Sequence, residues 1–296
     1  MKAGQTTLPE KYEWFSEQIA GHHPSVVRNG EHQIGFIKEK GSALLLKPVQ
    51  DGVRGQCEVA LYNSVRNWIL EASPKGQKNQ LECDRHVMIK FAEFVPKYFG
   101  LRTIFIGPKE VQCLVMEDLT YQYRQPCTMD IKMGKVTYDP NASDAKRVSE
   151  TVKYPAQETL GFRLLGYRMH CSDADPPVVR DKLWGRSKTL ENIVDAYGEF
   201  LSGRSGEENK VAEEVLSQLI AIREWFKEQR VYHFYASSIL IVYEASLERP
   251  ARVRVRLIDF SHVFPAEQKP DENYLFGLNN MITFVEQFRK SLQCPN

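Results

Sequence analysis

Pro126-Cys127-Thr128-Met129-Asp130-Ile131-Lys132-Met133-Gly134 decides how this chain is read. Residues two apart on an extended chain share a face. A strand here therefore sets Asp130 beside Lys132 and turns Met129, Ile131 and Met133 toward a core. Pro126 and Gly134 bound the segment as turn residues bound a short strand. A carboxylate next to an ammonium can orient a hydroxyl and neutralise a phosphate, and phosphoryl transfer is catalysed largely by such positioning and charge stabilisation. A bare Asp-x-Lys is more often an ion pair on an edge strand. The surrounding sequence must decide between the two.

The chain has 296 residues, enough for one large domain or two lobes. Its net charge is +1, so bulk electrostatics give no reason to expect a nucleic-acid partner, and any basic site must be local. The six cysteines are scattered without a C-x-x-C, which suits a reducing compartment and buried thiols. Cys83 and His86 have no second ligand pair nearby, so no structural zinc is expected. No apolar run approaches ~18 residues, and no charged start followed by an apolar stretch marks a signal peptide. These features lead to the expectation of an intracellular monomer, in the cytoplasm, the nucleus or both.

Upstream, Pro9–Ile19 reads as a short helix and Ala20-Gly21-His22-His23 as a turn. Gln33–Lys38 and Ala43–Val49 read as strands around Gly41. Lys47 ends an apolar strand, where an ammonium is costly without a partner. It either grips nucleotide phosphates or snorkels to solvent. Arg54–Ala72 is a helix, with Val59, Tyr62, Val65, Trp68 and Ile69 at helical spacing and Glu58 in its first turns. A strand lysine followed by a helix glutamate parallels the Lys–Glu pair of protein kinases, so Glu58 is expected to pair with Lys47. Val87–Phe99 reads as a helix that turns at Pro96. Thr103–Ile106 and Val111–Met116 read as a strand pair running into Glu117-Asp118-Leu119. That is how a strand enters a kinase hinge: backbone groups there can meet the adenine edge, and Met116 and Leu119 can wall the base. Alone, the same stretch would be a strand ending in solvated charges.

Downstream, Asn141 or Ser143 can cap a helix running to about Lys153, on which Lys146, Ser149, Glu150 and Lys153 share one face. Gly161–Met169 reads as a strand and Cys171–Pro177 as a loop. Thr189–Leu201, Glu207–Gln229 and Glu272–Leu292 read as helices. Tyr235–Tyr243 and Val253–Phe260 read as paired strands. The second delivers Ile258-Asp259-Phe260, an aspartate at a strand end followed by phenylalanine, as in the metal-binding Asp-Phe of kinase-like folds.

Pro-x-x-x-Asp-x-Lys-x-Gly is accompanied by Tyr138-Asp139-Pro140, Ala142-Ser143, Lys146, Lys153-Tyr154-Pro155, Ser237-Ser238-Ile239-Leu240 and Ile258-Asp259-Phe260. Together these resemble the inositol polyphosphate kinase family, and within it the multikinase branch. The resemblance implies an α+β bilobal fold of ATP-grasp/protein-kinase-like type. Residues 1–118 would form the N-lobe and 119–296 the C-lobe, with a short inositol-phosphate-binding cap inserted at about 140–185. In the family a compact cap accompanies broad substrate choice. It further implies ATP and Mg2+ as cofactors. The substrates would be inositol 1,4,5-trisphosphate and tetrakisphosphates on the way to the pentakisphosphate, with phosphatidylinositol 4,5-bisphosphate headgroups as a further candidate.

The same resemblance assigns the site. Lys47, Met116, Glu117, Asp118, Leu119, Leu240, Ile258 and Asp259 would hold the nucleotide, and Asp259 with Ser238 the metal. Lys132 would meet the moving phosphoryl group, while Asp130 would orient either the attacking hydroxyl or the ATP ribose. Arg54, Lys146, Ser149, Lys153, Lys182 and His262 would contact substrate. Glu150 stands where the family commonly carries an amide, and it either points away or opposes the most phosphorylated substrates. A hexakisphosphate kinase is disfavoured by the Tyr-Asp-Pro and Lys-Tyr-Pro pair. A non-catalytic scaffold is disfavoured by the joint presence of Lys47, Asp130, Lys132 and Asp259.

Overall fold

The structure is a computed structural model and describes residues 8–19, 27–28, 31–32, 34–70, 80–171 and 176–293. The expected turn at Ala20–His23 lies outside the described residues.

Two antiparallel sheets organise the chain. The first has Tyr12–Trp14 (β1) at one edge, and the two-residue strands Val27–Arg28 (β2) and Glu31–His32 (β3) pair apart from it. Ile37–Glu39 (β4), Leu44–Pro48 (β5), Tyr98–Ile106 (β6) and Lys109–Glu117 (β7) complete it in the order β1-β4-β5-β7-β6. The helix expected over Pro9–Ile19 is thus an edge strand: Tyr12 is buried while Glu13 is exposed, the alternation of a half-buried strand. Val53–Leu70 (α1) buries Glu58, Leu61, Tyr62 and Val65 on one face. Gln80–Phe91 (α2) begins seven residues earlier than the expected helix at Val87 and stops at Phe91, well short of Pro96. The residues from Tyr98 on pair with β7 instead.

The second sheet runs β10-β9-β8-β12-β13, from Pro126–Met133 (β8), Phe162–Met169 (β9), Val178–Arg180 (β10), Ser238–Glu244 (β12) and Arg254–Ile258 (β13). Tyr232–Phe234 (β11) and Val263–Pro265 (β14) form a separate pair. Asp144–Lys153 (α3) and Gln157–Leu160 (α4) lie between β8 and β9, and Lys182–Arg186 (α5) follows β10. Ile193–Leu201 (α6), Glu208–Glu228 (α7) and Glu272–Gln293 (α8) join Met129, Ile131 and Met133 in one core that continues into α1 and α2.

The span 140–185 expected to hold the cap contains both helices and strands. β9 and β10 fall inside 140–185 but are strands of the second sheet, because Phe162, Leu164 and Met169 supply its core face. The excursion between β8 and β9 is therefore α3 and α4 alone. Gly134 closes β8 with φ +107, a conformation that favours glycine, and a Cβ there would fall 2.6 Å from the Asn273 side chain.

Candidate active site

Strand register builds the site. Lys132 of β8 lies opposite Ser238 of β12, and Asp130 opposite Leu240. On the other side Lys132 lies opposite Arg163 and Asp130 opposite Gly166. The β8–β9 register then shifts between Asp130 and Ile131, leaving a bulge at Leu165. Bulges bend a strand and re-aim its side chains, and this one sits beside Asp130. A Cβ at Gly166 (φ +141) would come within 2.2 Å of Arg180 O, so the bulge needs glycine.

The first sheet closes over this face. Lys47 Nζ reaches Glu58 Oε1 at 2.7 Å and Asp259 Oδ1 at 2.5 Å. Glu58 Oε1 also accepts the Phe260 N–H at 3.1 Å, so one helix carboxylate holds both the lysine and the turn that presents Asp259. Asp259 itself sits at φ +64, in the left-handed region that Asp tolerates better than most residues. Burial would lower the Lys47 ammonium, but the two carboxylates override it and hold it well above the usual lysine range.

Asp130 is the opposite case. Burial and the nearby Asp259 charge raise its carboxyl to about 7, against the pull of Ser238, Lys132 and Lys47. Lys132 donates to Ala236 O at 3.2 Å. Burial pushes its ammonium below the ordinary lysine range despite Asp259 and Asp130.

A cavity of about 270 Å³ opens between the sheets. Met116 and Leu119 wall it from the first sheet and the linker, and Leu240 and Ile258 from the second. Lys47, Asp130, Lys132 and Asp259 stand at its polar end. An apolar slot leading to paired carboxylates and lysines fits a nucleotide. At the linker the Glu117 N–H donates to Lys97 O and the Asp118 N–H to Ala43 O, so neither is left for a base. Asp118 Oδ1 accepts from the Thr120 N–H and hydroxyl, Asp118 Oδ2 pairs with Lys38 at 2.9 Å, and Glu117 pairs with Arg254 at 2.7 Å. The side chains at 117 and 118 therefore brace the linker. Base contact in this region falls to the walls and to backbone groups other than these two N–H donors.

Among the described residues no group of three or more His, Cys, Asp or Glu forms a metal cluster. A magnesium bound through nucleotide phosphates needs only one or two carboxylates. The donors fit that case: Asp130 Oδ1 and Ser238 Oγ are buried close together, and the Asp259 carboxylate is near Asp130.

The substrate side is partly assembled. His262 Nδ1 meets Asp139 Oδ2 at 2.7 Å. Burial lowers its imidazole, Asp139 opposes, and the nearby Arg54 and Lys132 add to the lowering. Arg54, Lys132 and His262 thus converge. Ser143 caps α3, accepting the Lys146 N–H at 3.3 Å. Lys146 and Lys153 reach Glu150 Oε1 at 2.5 and 3.4 Å, and Ser149 is exposed beside them. Glu150 does not point away. It is buried under the two lysines, which hold its carboxyl down to about 2 although burial alone would raise it.

Lys182 is not brought in. It is exposed in the first turn of α5, capped by Asp181, and pairs with none of the cleft residues among those described. Arg163 is the residue that sequence reading missed. Its signal is an arginine in the apolar run Phe162-Arg163-Leu164-Leu165, and its meaning depends on the strand pairing.

A family model described as "Inositol polyphosphate kinase" matches residues 113–286. The inositol polyphosphate multikinase of Homo sapiens is 32% identical over 267 residues, covering 90% of this chain and 59% of that protein. The chain thus spans a little over half the length of that relative. The multikinase of Oryza sativa subsp. indica is 30% identical, covering 90% of this chain and 91% of that one. The crystal structure of the S. cerevisiae inositol phosphate multikinase in complex with ADP and Mn2+ superposes with a TM-score of 0.66 at 21% identity, over 83% of this chain and 99% of that chain. A second solved structure, from structural studies and engineering of an inositol phosphate multikinase, gives 0.56 at 26% identity over 71% and 94%. With more than half of its length matched by the family model and a relative aligned almost end to end, this chain belongs to the inositol polyphosphate kinase family.

Proposed function

We propose that the chain transfers the γ-phosphoryl group of ATP to hydroxyls of inositol polyphosphates. Inositol 1,4,5-trisphosphate and tetrakisphosphates would be successive substrates on the way to the pentakisphosphate. The observation that carries this is the meeting of Lys47, Glu58 and Asp259 opposite Asp130 and Lys132 across one cleft. The names of the aligned relatives support the substrate class.

When bound, magnesium supplies charge neutralisation between the phosphates. The residues supply the rest. Lys47, fixed by Glu58, holds the nucleotide phosphates, and Asp259 with Ser238 and Asp130 offers oxygen donors. Lys132 stands two residues from Asp130 on the same face, where its ammonium neutralises the phosphoryl group in flight. Asp130, raised to about 7, can accept a proton from a hydroxyl held against it; the same carboxylate can instead grip the ribose. Arg54, His262, Lys146 and Lys153 line the approach on the far side of Lys132 and meet the substrate's phosphates. A phosphoinositide headgroup has the same phosphate pattern and is a second substrate under this reading.

A time course with inositol 1,4,5-trisphosphate and excess ATP, resolved by anion-exchange chromatography, tests the assignment. Tetrakisphosphate followed by pentakisphosphate is expected. A reaction that stops at one tetrakisphosphate isomer reassigns the chain to single-position kinases, and pyrophosphate formed from the hexakisphosphate reassigns it to that branch.

A further inference from the structure

Arg163 is 5% exposed, yet among the described residues its guanidinium has no ion pair and no hydrogen bond; the Tyr154 ring, 5.9 Å from its Cζ, is its aromatic neighbour. A buried charge without a partner is strongly unfavourable and calls for an explanation. The surroundings add to the demand. Lys132 lies directly opposite in the strand register, so both side chains leave the same face of the sheet. Arg186 of α5 is close enough to repel Arg163, and its own Nε is buried without a hydrogen-bond partner. Among the described residues Glu150 is the one carboxylate in electrostatic reach of Arg163, and it is committed to Lys146 and Lys153. Lys132, Arg163 and Arg186 therefore gather beside a single shared carboxylate, Glu150, and Arg163 pairs directly with none among the described residues.

We infer that Arg163, with Arg186 behind it, forms a subsite for a phosphomonoester of the substrate next to Lys132 and sets which hydroxyl of the inositol ring reaches the cleft. This rests on the kinase reading above. A guanidinium presents a planar fork that binds phosphate in two-point fashion, whereas the exposed lysines of α3 act as point charges. One ring phosphate is pinned at Arg163 while the others exchange among Arg54, Lys146, Lys153 and His262. Substrate choice is then narrower than an open site lined by lysines alone would allow. The same ring phosphate stays bound through successive transfers.

Steady-state kinetics of Arg163→Met and Arg163→Lys with inositol 1,4,5-trisphosphate test the subsite. In Arg163→Met the KM for the trisphosphate should rise about tenfold or more, as expected for loss of a charge-assisted contact. Arg163→Lys, which keeps the charge and loses the fork, should show a smaller rise and a broader mixture of product isomers. The KM for ATP should stay within about twofold in both, because the subsite lies on the substrate side of Lys132. An unchanged trisphosphate KM, or equal rises for trisphosphate and ATP, overturns the proposal. Should Arg163→Met fail to fold, Arg163→Lys decides by the same criteria. Calorimetric titration with inositol hexakisphosphate, without ATP, separates the two readings. An intact chain that binds this probe but phosphorylates no inositol phosphate removes the kinase assignment. Equal binding by the intact chain and Arg163→Met removes the subsite.

Discussion

Lys47 and Asp259 stand 212 positions apart in the chain, and their side chains meet at 2.5 Å. The contact joins the central region of the first sheet to the end of β13. Glu58, 1% exposed, takes the same ammonium from the other side. Burying Lys47 and Glu58 is tolerable here because they pair with each other and the half-buried Asp259 adds a second carboxylate to the ammonium.

Replacing Lys47 by Met should therefore cost stability as well as activity. Glu58 would be left as an unpaired buried carboxylate, at about 3–5 kcal/mol. The double variant Lys47→Met with Glu58→Gln should recover much of the melting temperature and none of the turnover. A double variant no more stable than Lys47→Met would show that the pair is not the source of the loss.

Asp259→Asn should fold and fail to turn over. Its amide keeps the size of the side chain but removes the charge that faces the metal, a loss of several kcal/mol in transition-state stabilisation. Single-turnover assays at saturating magnesium check this. A wild-type rate would assign the metal elsewhere.

Asp130 predicts a pH effect on the protein free of nucleotide and metal. Its folded-state pKa of about 7 lies above the ordinary aspartate value, so the folded protein holds a proton that the unfolded chain gives up. Its favourable contribution is complete below about pH 4 and is lost as pH rises through 7. Asp130→Asn should thus abolish activity and raise the melting temperature at pH 8, with little change at pH 4. Melting curves at the two pH values decide; destabilisation at pH 8 would count against the buried, charge-strained carboxylate.

Glu150 occupies two lysines that a phosphate would otherwise use. Glu150→Gln should lower the KM for inositol phosphates by about fivefold, roughly 1 kcal/mol, and more for tetrakisphosphates than for the trisphosphate. Lys146→Ala and Lys153→Ala should raise it and leave the KM for ATP alone. The three KM values, measured with both substrates, test this together. A higher KM in Glu150→Gln would mean that the carboxylate positions the lysines rather than competing for them.

What could be read from the sequence was chemistry with fixed local spacing. Asp130 and Lys132 are two apart on one strand, Glu58 follows Lys47 by a strand-to-helix step, and Asp259 ends a strand before a phenylalanine. Each relation is set by the backbone within a few residues, or by an arrangement shared with other kinases. Arg163 could not be placed, because its role comes from lying opposite Lys132 across a pairing that bypasses α3 and α4. Lys182 could not be placed for the same reason: β9 and β10 are strands of the second sheet, and α5, which carries Lys182 as an exposed side chain, follows them. The strand at Tyr12–Trp14 was read as helix because three residues offer too little alternation to outweigh a run of helix-tolerant side chains.

The segment Leu257–Phe260 has a mechanical consequence. The Leu257 N–H donates to Phe94 O at 2.8 Å and the Phe260 N–H to Glu58, while the Phe260 ring packs against Tyr62 and Phe91. The end of β13 and the turn after it are thus tied by two main-chain N–H donors, one to the turn that follows α2 and one to the Glu58 carboxylate of α1. Opening of the cleft must pivot about this seam, because tearing it would expose backbone donors and a fully buried ring at once. Heat or denaturant then meets a single cooperative unit, and the two sheets melt together instead of one after the other.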